Sequence, residues 1–245
     1  MLSVIIITKN ESQHIRRCLK SVSWADEIIV YDSGSEDETV NICKEFTTNV
    51  FISDWPGFGL QKQRALDKAS YEWVLSIDAD EEITEGLKTE ILDAIKTTAY
   101  QAFNIPFSSY YCGKLIKHGG WKSEYHTRLF RKSFCHFTPD VVHENIIING
   151  KTGTLKNPIS HNSYINQEEV LSKTNLYSTL GAEKLYKNGY KKSSLSIALL
   201  KGFWIFFRNY FIRAGFLDGA EGLMLAISIA EVTFYKYIKL RELSR

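Results

Sequence analysis

The chain opens on Leu2–Thr8, a continuous run of apolar and β-branched residues around one serine. A run of this kind fits a parallel strand buried on both faces, and such a strand needs helices to cover it. The next segments supply them in alternation. Glu11–Val22 carries Ile15, Leu19 and Val22 at helical spacing, Glu27–Tyr31 reads as a second strand, and Asp37–Phe46 as a second helix. Asn49–Ile52 predicts a short third strand, Gln61–Ala69 a third helix, Trp73–Ile77 a fourth strand and Glu85–Thr97 a fourth helix. Four β-α repeats in this order predict a mostly parallel α/β sheet flanked by helices. Ligands of such sheets sit beyond the carboxyl ends of the strands, so the polar residues just after each strand matter most.

After residue 100 the pattern changes to short alternating runs (Ala102–Phe107, Arg128–Arg131, Asn145–Ile148) separated by Gly, Pro and Asn. That predicts a smaller mixed or antiparallel sheet with loops. Beyond Gln167 the chain reads as helical, which divides it into 1–100, 101–166 and a helical C-terminal extension, 167–245. A formal charge of +2 argues against nucleic acid as a partner. Cys18, Cys43, Cys112 and Cys135 lack zinc-ligand spacing and predict reduced structural thiols. No basic segment precedes Leu2–Ile7, so no secretory signal is expected. No uncharged apolar stretch reaches the roughly 18 residues of a spanning helix.

Three strand ends carry polar clusters: Thr8-Lys9-Asn10-Glu11, Asp32-Ser33-Gly34-Ser35-Glu36-Asp37 and Asp78-Ala79-Asp80-Glu81-Glu82. The first two offer directed hydrogen bonds to a base and ribose. Neither has the glycine pattern of a dinucleotide fold or the Lys-Ser/Thr ending of a phosphate loop. The third gathers acids that repel one another unless a cation offsets them. Oxygen ligands of this type suit Mg²⁺ or Mn²⁺ bridging donor phosphates, while Glu81, Glu82 and Glu85 also suit the start of the following helix.

The segments SVIIITKNE, WADEIIVYDSGSEDET, DWPGFGLQKQRAL and WVLSIDADEE resemble glycosyltransferase family 2 with its GT-A (Rossmann-like) fold. The resemblance is nearest the lipopolysaccharide core β-1,4-glucosyltransferases of the WaaE/KdtX type. It continues through RLFRK, VHE, KTNLYSTLGAEKLY, RAGFLDGAEGL and TFYKYIKL. It implies a nucleotide-sugar half in 1–100 and an acceptor half in 101–166. Thr8, Asn10 and Glu11 would line a uridine pocket, with Asp32 at the uracil edge. Lys62 and Arg64, at the start of the third helix, would complete the base site or offset diphosphate charge; a solvated basic turn is the alternative. Within Asp78-Ala79-Asp80, Asp78 would contact ribose or sugar and Asp80 the metal.

Glu144, in Val-His-Glu, is the candidate base for deprotonating the acceptor, with Asp140 as runner-up. His161 is a candidate second metal ligand or a structural histidine. Arg128 and Arg131 are candidates for binding diphosphate or a phosphorylated acceptor; on a strand, three residues apart, they would point to opposite faces. Trp121 is a candidate for stacking on an acceptor sugar or for core packing.

Between Glu183 and Arg213 the only acid is Glu183, while seven lysines or arginines alternate with Leu, Ile, Phe and Trp. That pattern suits a helix in the membrane interface, or one packed on the catalytic domain with solvated basic residues. The expected activity is inverting transfer of a hexose, from UDP-glucose, to a heptose of the lipopolysaccharide inner core. It would use Mn²⁺ or Mg²⁺ and act peripherally at the inner face of the cytoplasmic membrane. Transfer to another glycan or peptide acceptor, a nucleotidyltransferase, and a non-catalytic membrane-surface nucleotide-binding module are the alternatives. Oligomeric state stays open.

Overall fold

The computed structural model describes residues 1–96, 99–121, 125–139, 145–190 and 192–244. The expected β-α repeats are β1 (Leu2–Thr8), α1 (Ile15–Ser21), β2 (Glu27–Asp32), α2 (Thr39–Lys44), β3 (Val50–Ile52), α3 (Phe58–Lys68) and β4 (Trp73–Asp78). A short strand, β5 (Glu81–Ile83), then precedes α4 (Glu85–Ala94). β1 is buried along its whole length and pairs in parallel with β2 on one side and β4 on the other. Its side chains divide by parity. Leu2, Val4 and Ile6 pack with Ile15 and Leu19 of α1 and Leu87 and Ile91 of α4. Ile5 and Ile7 pack with Ala65 and Leu66 of α3 on the other face. Each such side chain contributes about 1.5–3 kcal/mol on burial, so this strand holds two helical layers together.

Several helix starts differ from the sequence reading, each for a local reason. Asn10 adopts a left-handed backbone, φ 54°, and residues 12–14 form a turn in which the His14 amide donates to the Glu11 carbonyl, so the regular helix α1 spans Ile15–Ser21. Gly57, at φ 112°, lets α3 begin at Phe58, three residues before the expected Gln61. Lys62 and Arg64 therefore sit inside the helix rather than at its start. Glu81 and Glu82 form β5, antiparallel to a later strand, and the Thr84 side chain caps α4 by accepting from the Leu87 amide.

The remaining strands are β6 (Ala102–Tyr111), β7 (Lys114–Leu115), β8 (Tyr125–Arg131), β9 (Cys135–Phe137), β10 (Ile146–Ile148), β11 (Thr152–Thr154) and β12 (Ile159–Tyr164). The main sheet runs β3-β2-β1-β4-β8-β6-β12-β5, with β8 antiparallel to both neighbours and β11 parallel to β6. β9 and β10 form a separate antiparallel pair. The result is a GT-A-like fold, a mostly parallel sheet flanked by helices with a helical C-terminal region.

The chain forms two compact units, Met1–Phe107 with Glu124–His161, and Ser108–Ser123 with Asn162–Arg245. The second contains α5 (Gln167–Lys187), α6 (Leu195–Phe207), a π-helical turn Arg208–Ile212, a 3₁₀ turn Gly215–Asp218 and α7 (Gly219–Leu243). Lys239 clamps α7 to α5, its ammonium donating to Asn175 Oδ1, Ser178 Oγ and Thr179 Oγ1 at 2.7–2.9 Å. Trp121 belongs to this unit's aromatic cluster, stacked on Tyr164 at 5.5 Å and edge-on to Tyr111.

Candidate active site

The carboxyl ends of β1 and β2 are tied together by hydrogen bonds. The Ser33 amide donates to the Thr8 carbonyl at 2.9 Å. Asn10 donates from its amide to Ser35 Oγ at 2.8 Å and accepts the Glu36 amide on Oδ1 at 2.9 Å. The Glu11 amide donates to Thr39 Oγ1 at 2.8 Å. Asp32 is fully buried, and its carboxylate closes its own turn, accepting from the Gly34 and Ser35 amides and from Ser35 Oγ. Thr8 Oγ1 is buried with no hydrogen-bond partner among the described residues, a cost that a bound polar group would remove.

On α3, Lys62 and Arg64 go to different partners. Gln61 is buried and donates to Ser33 Oγ at 3.0 Å, joining the helix to the end of β2. Lys62, also buried, reaches Asp78 Oδ1 at 3.0 Å. Arg64 instead donates to Asp54 Oδ1 at 2.9 Å and to Ser53 Oγ at 3.2 Å, holding the loop before α3.

The end of β4 carries the densest charge. Arg128, on β8, donates from Nη2 to Asp78 Oδ2 at 2.8 Å and to Glu81 Oε1 at 2.6 Å. Glu81 is buried and accepts the Asp78 amide on its other oxygen at 2.9 Å. The Arg128 guanidinium lies over the Phe107 ring, 5.3 Å from its centroid. Burial opposes ionisation of Asp78, but Arg128 and Lys62 together hold its carboxyl well below the usual range. Burial pushes the Glu81 carboxyl up against the pull of Arg128, with Asp78 and Asp80 adding to the rise. Beneath this cluster the buried Cys18 thiol lies 3.5 Å from the Asp78 carbonyl oxygen.

Asp80 and His161 come together although 81 residues separate them. The antiparallel register of β12 on β5 sets His161 opposite Glu81, and His161 Nε2 lies 3.3 Å from Asp80 Oδ2. Burial disfavours the imidazolium, but Asp80, Glu81 and Asp78 outweigh it and raise the His161 pKa. Ala79 between the two aspartates is buried in the main core cluster, so a small side chain anchors the motif.

The Asp80 carboxylate is an oxygen donor of the kind Mg²⁺ and Mn²⁺ take, and the imidazole beside it favours the softer Mn²⁺ of the two. Among the described residues no three His, Cys, Asp or Glu side chains gather to hold a metal. Asp80 and His161 therefore fit an ion that takes its other ligands from substrate phosphates and water.

Arg131 does not join the cluster. It pairs with Trp73 at the start of β4, its guanidinium 4.9 Å from the centroid of that ring, because β8 runs antiparallel and carries it away from Asp78. Asp140 and Glu144 lie outside the described residues. The sequence reading missed Gln61 as the link to Ser33, and Glu81 as the interior partner of Arg128. No local pattern signalled the second, since Arg128 lies 47 residues from Glu81 and has no acid beside it in sequence.

Comparison with known proteins identifies the family and the fold. The family model for glycosyl transferase family 2 matches residues 3–151. An uncharacterized glycosyltransferase of Rickettsia prowazekii is 34% identical, over 99% of this chain and 87% of that protein. The lipopolysaccharide core biosynthesis glycosyltransferase LpsC of Rhizobium meliloti is 25% identical, over 96% of this chain and 93% of that protein. Among solved structures, S. aureus TarS 1–349 in complex with UDP-GlcNAc shares the fold. Its TM-score is 0.52 at 16% identity, covering 98% of this chain and 90% of that one. By family model and by relatives matched over nearly the whole chain, the protein belongs to glycosyltransferase family 2.

Proposed function

We propose that this enzyme is an inverting, metal-dependent hexosyltransferase that moves glucose from UDP-glucose to a heptose of the lipopolysaccharide inner core. This is the WaaE/KdtX type of activity, exerted at the inner face of the cytoplasmic membrane. The observation that carries the donor reading is the pair of arrangements at the end of β4, Lys62–Asp78–Arg128–Glu81 beside Asp80–His161. The likeness to LpsC, named for lipopolysaccharide core biosynthesis, supports the acceptor class.

Lys62 and Arg128 supply two positive charges beside the motif, and Asp78 and Glu81 hold them in place before donor arrives. A nucleoside diphosphate drawn to these cations meets Thr8 Oγ1 and the linked ends of β1 and β2. Asp80 and His161 would hold the divalent ion, which when bound offsets the charge growing on the departing diphosphate. In the transfer an acceptor hydroxyl oxygen forms a bond to the anomeric carbon on the face opposite the diphosphate. The anomeric carbon–oxygen bond breaks, and UDP leaves with the electron pair. The acceptor proton passes to a carboxylate of the 140–144 segment, with Glu144 as first choice and Asp140 as second.

UDP release from a panel of nucleotide sugars, with and without heptose-containing core and divalent ion, tests the reading. Asp80→Ala is expected to lose at least about 100-fold in turnover; wild-type turnover and metal dependence in that variant would remove Asp80 from the metal site. Glu144→Gln is expected to keep donor binding and lose transfer, whereas near-normal turnover moves the base to Asp140. Transfer to an acceptor without heptose, but not to the core, would replace the acceptor assignment while leaving the donor site intact.

A further inference from the structure

The C-terminal unit carries a helix that faces the wrong way for a protein in water. An amphipathic helix buries its large apolar side chains and leaves small or polar ones outside. In α6 the buried residues are Ala198 and Gly202, the two smallest it has. Leu200 is 69% exposed, Phe203 68% and Trp204 53%. Gly202 sits so close to α7 that an added Cβ would lie 3.3 Å from Phe234 Cβ and 3.5 Å from the Ala230 carbonyl. Over Leu195–Ile212 only 17% of residues are buried, and the segment is long and apolar enough, by length and composition, to cross a membrane. Small residues toward the neighbouring helix and large apolar ones outward is the pattern of helices in lipid.

The charges refine this. At about 100° per residue, the seam of Ala198 and Gly202 faces away from an arc formed by Leu200, Phe203, Trp204 and Phe207. Lys201 and Arg208, seven residues apart, fall together on one flank between arc and seam, and both are exposed. From residue 184 to 217 there is no Asp or Glu. Just past the π-helical turn, Phe216 and Leu217 are exposed as well.

We infer that the arc of α6 enters one leaflet of an anionic phospholipid bilayer, with the helix in the membrane plane and Lys201 and Arg208 at the phosphates. The flanking charges and the seam against α7 set this orientation over a span, since a spanning α6 would carry both cations through hydrocarbon. The inference deepens the membrane-face reading of the proposed function and rests on it only for the acceptor that would be met there.

The test is flotation of the full chain with phosphatidylcholine vesicles, alone or with roughly 30 mol % phosphatidylglycerol. Binding to the anionic vesicles is expected to exceed binding to the neutral ones by at least about tenfold and to weaken several-fold on raising salt. Leu200→Glu with Phe203→Glu should lower it more than about tenfold at an unchanged unfolding midpoint, because both side chains are exposed. In the wild-type chain, Trp204 emission should shift to the blue and be quenched by brominated acyl chains, a signal that Trp204→Phe removes.

Failure to float with either vesicle overturns the inference, as does flotation with Trp204 unquenched. A lipid-free dimer that dissociates in the double variant overturns it in favour of a second copy of the chain. Equal binding to both vesicle types overturns the anionic requirement. Asp80→Ala should float like wild type, so loss of transfer in that variant leaves the membrane reading untouched, and loss of flotation in the double variant leaves the donor site untouched.

Discussion

At the end of β4 the first unit buries charge, and on α6 the second unit exposes hydrocarbon. Both break the usual distribution of residues, in opposite directions. Around Asp78 the breach is repaired inside the protein, where Arg128 and Lys62 each meet a carboxylate oxygen at 2.8–3.0 Å. On α6 no such repair is made by the unit itself, since its exposed side chains are those that water solvates worst. A buried polar cluster completed from within is a preorganised site. An apolar face left open is a surface shaped for something outside.

The comparison is broken most severely by Arg128→Met. This should cost about 3–5 kcal/mol in urea unfolding, because Glu81 is left buried without its cation; a loss under about 1 kcal/mol would mean that pairing does not hold this region. Adding Glu81→Leu to Arg128→Met should recover most of that loss, since replacing both members of a buried pair by apolar groups is often close to neutral. Donor turnover should stay low in the double variant, which separates stability from positioning.

In the second unit Gly202→Val should cost about 1–3 kcal/mol by forcing α6 off Phe234 and Ala230. Leu200→Gln, two residues away but on the open arc, should change stability by less than about 0.5 kcal/mol. Equal costs at the two positions would remove the distinction between seam and arc.

The smallest effect is expected at Asp37, an exposed carboxylate of the first unit. Burial works against its ionisation, but hydrogen bonds from Thr39 and Ser12 outweigh this and bring its pKa from the ordinary 3.8 to about 2. Because the folded value is the lower one, the stabilisation is full above the ordinary pKa and is lost as pH falls through about 2. Asp37→Asn should therefore lose a little stability at neutral pH and flatten the acid limb of the stability profile between those values.

The β-α repeats were legible because burial on both faces leaves strands with unbroken apolar runs, as in β1. The edge carrying Asp78 and Asp80 followed from the order of those repeats. What escaped was pairing over distance. Arg128 lies 50 and 47 residues from its two carboxylates, and periodicity carries no information about which cation meets which acid. The start of α3 escaped because it depends on one glycine at positive φ. The pairing of Lys117 and His118 with the C-terminal region also escaped, since Asp218, which accepts their amides, lies 101 and 100 residues further on. For α6 the composition was readable, but which side faces the protein was not, because that depends on a seam of only two small residues.

All four cysteines are free, and the Cys18 thiol lies against the Asp78 carbonyl at the end of β4. Burial, with Glu81, Asp80 and Asp78 adding, raises its pKa well above the ordinary value, so the thiol stays protonated as well as shielded. An alkylating reagent reaches it only during moments when the sheet edge comes apart. The half-exposed Cys112 reacts without such an event and serves as the fast standard. The unmodified chain thus carries its own clock: the rate at which Cys18 is labelled counts openings beneath Asp78, and saturating UDP-sugar should slow it.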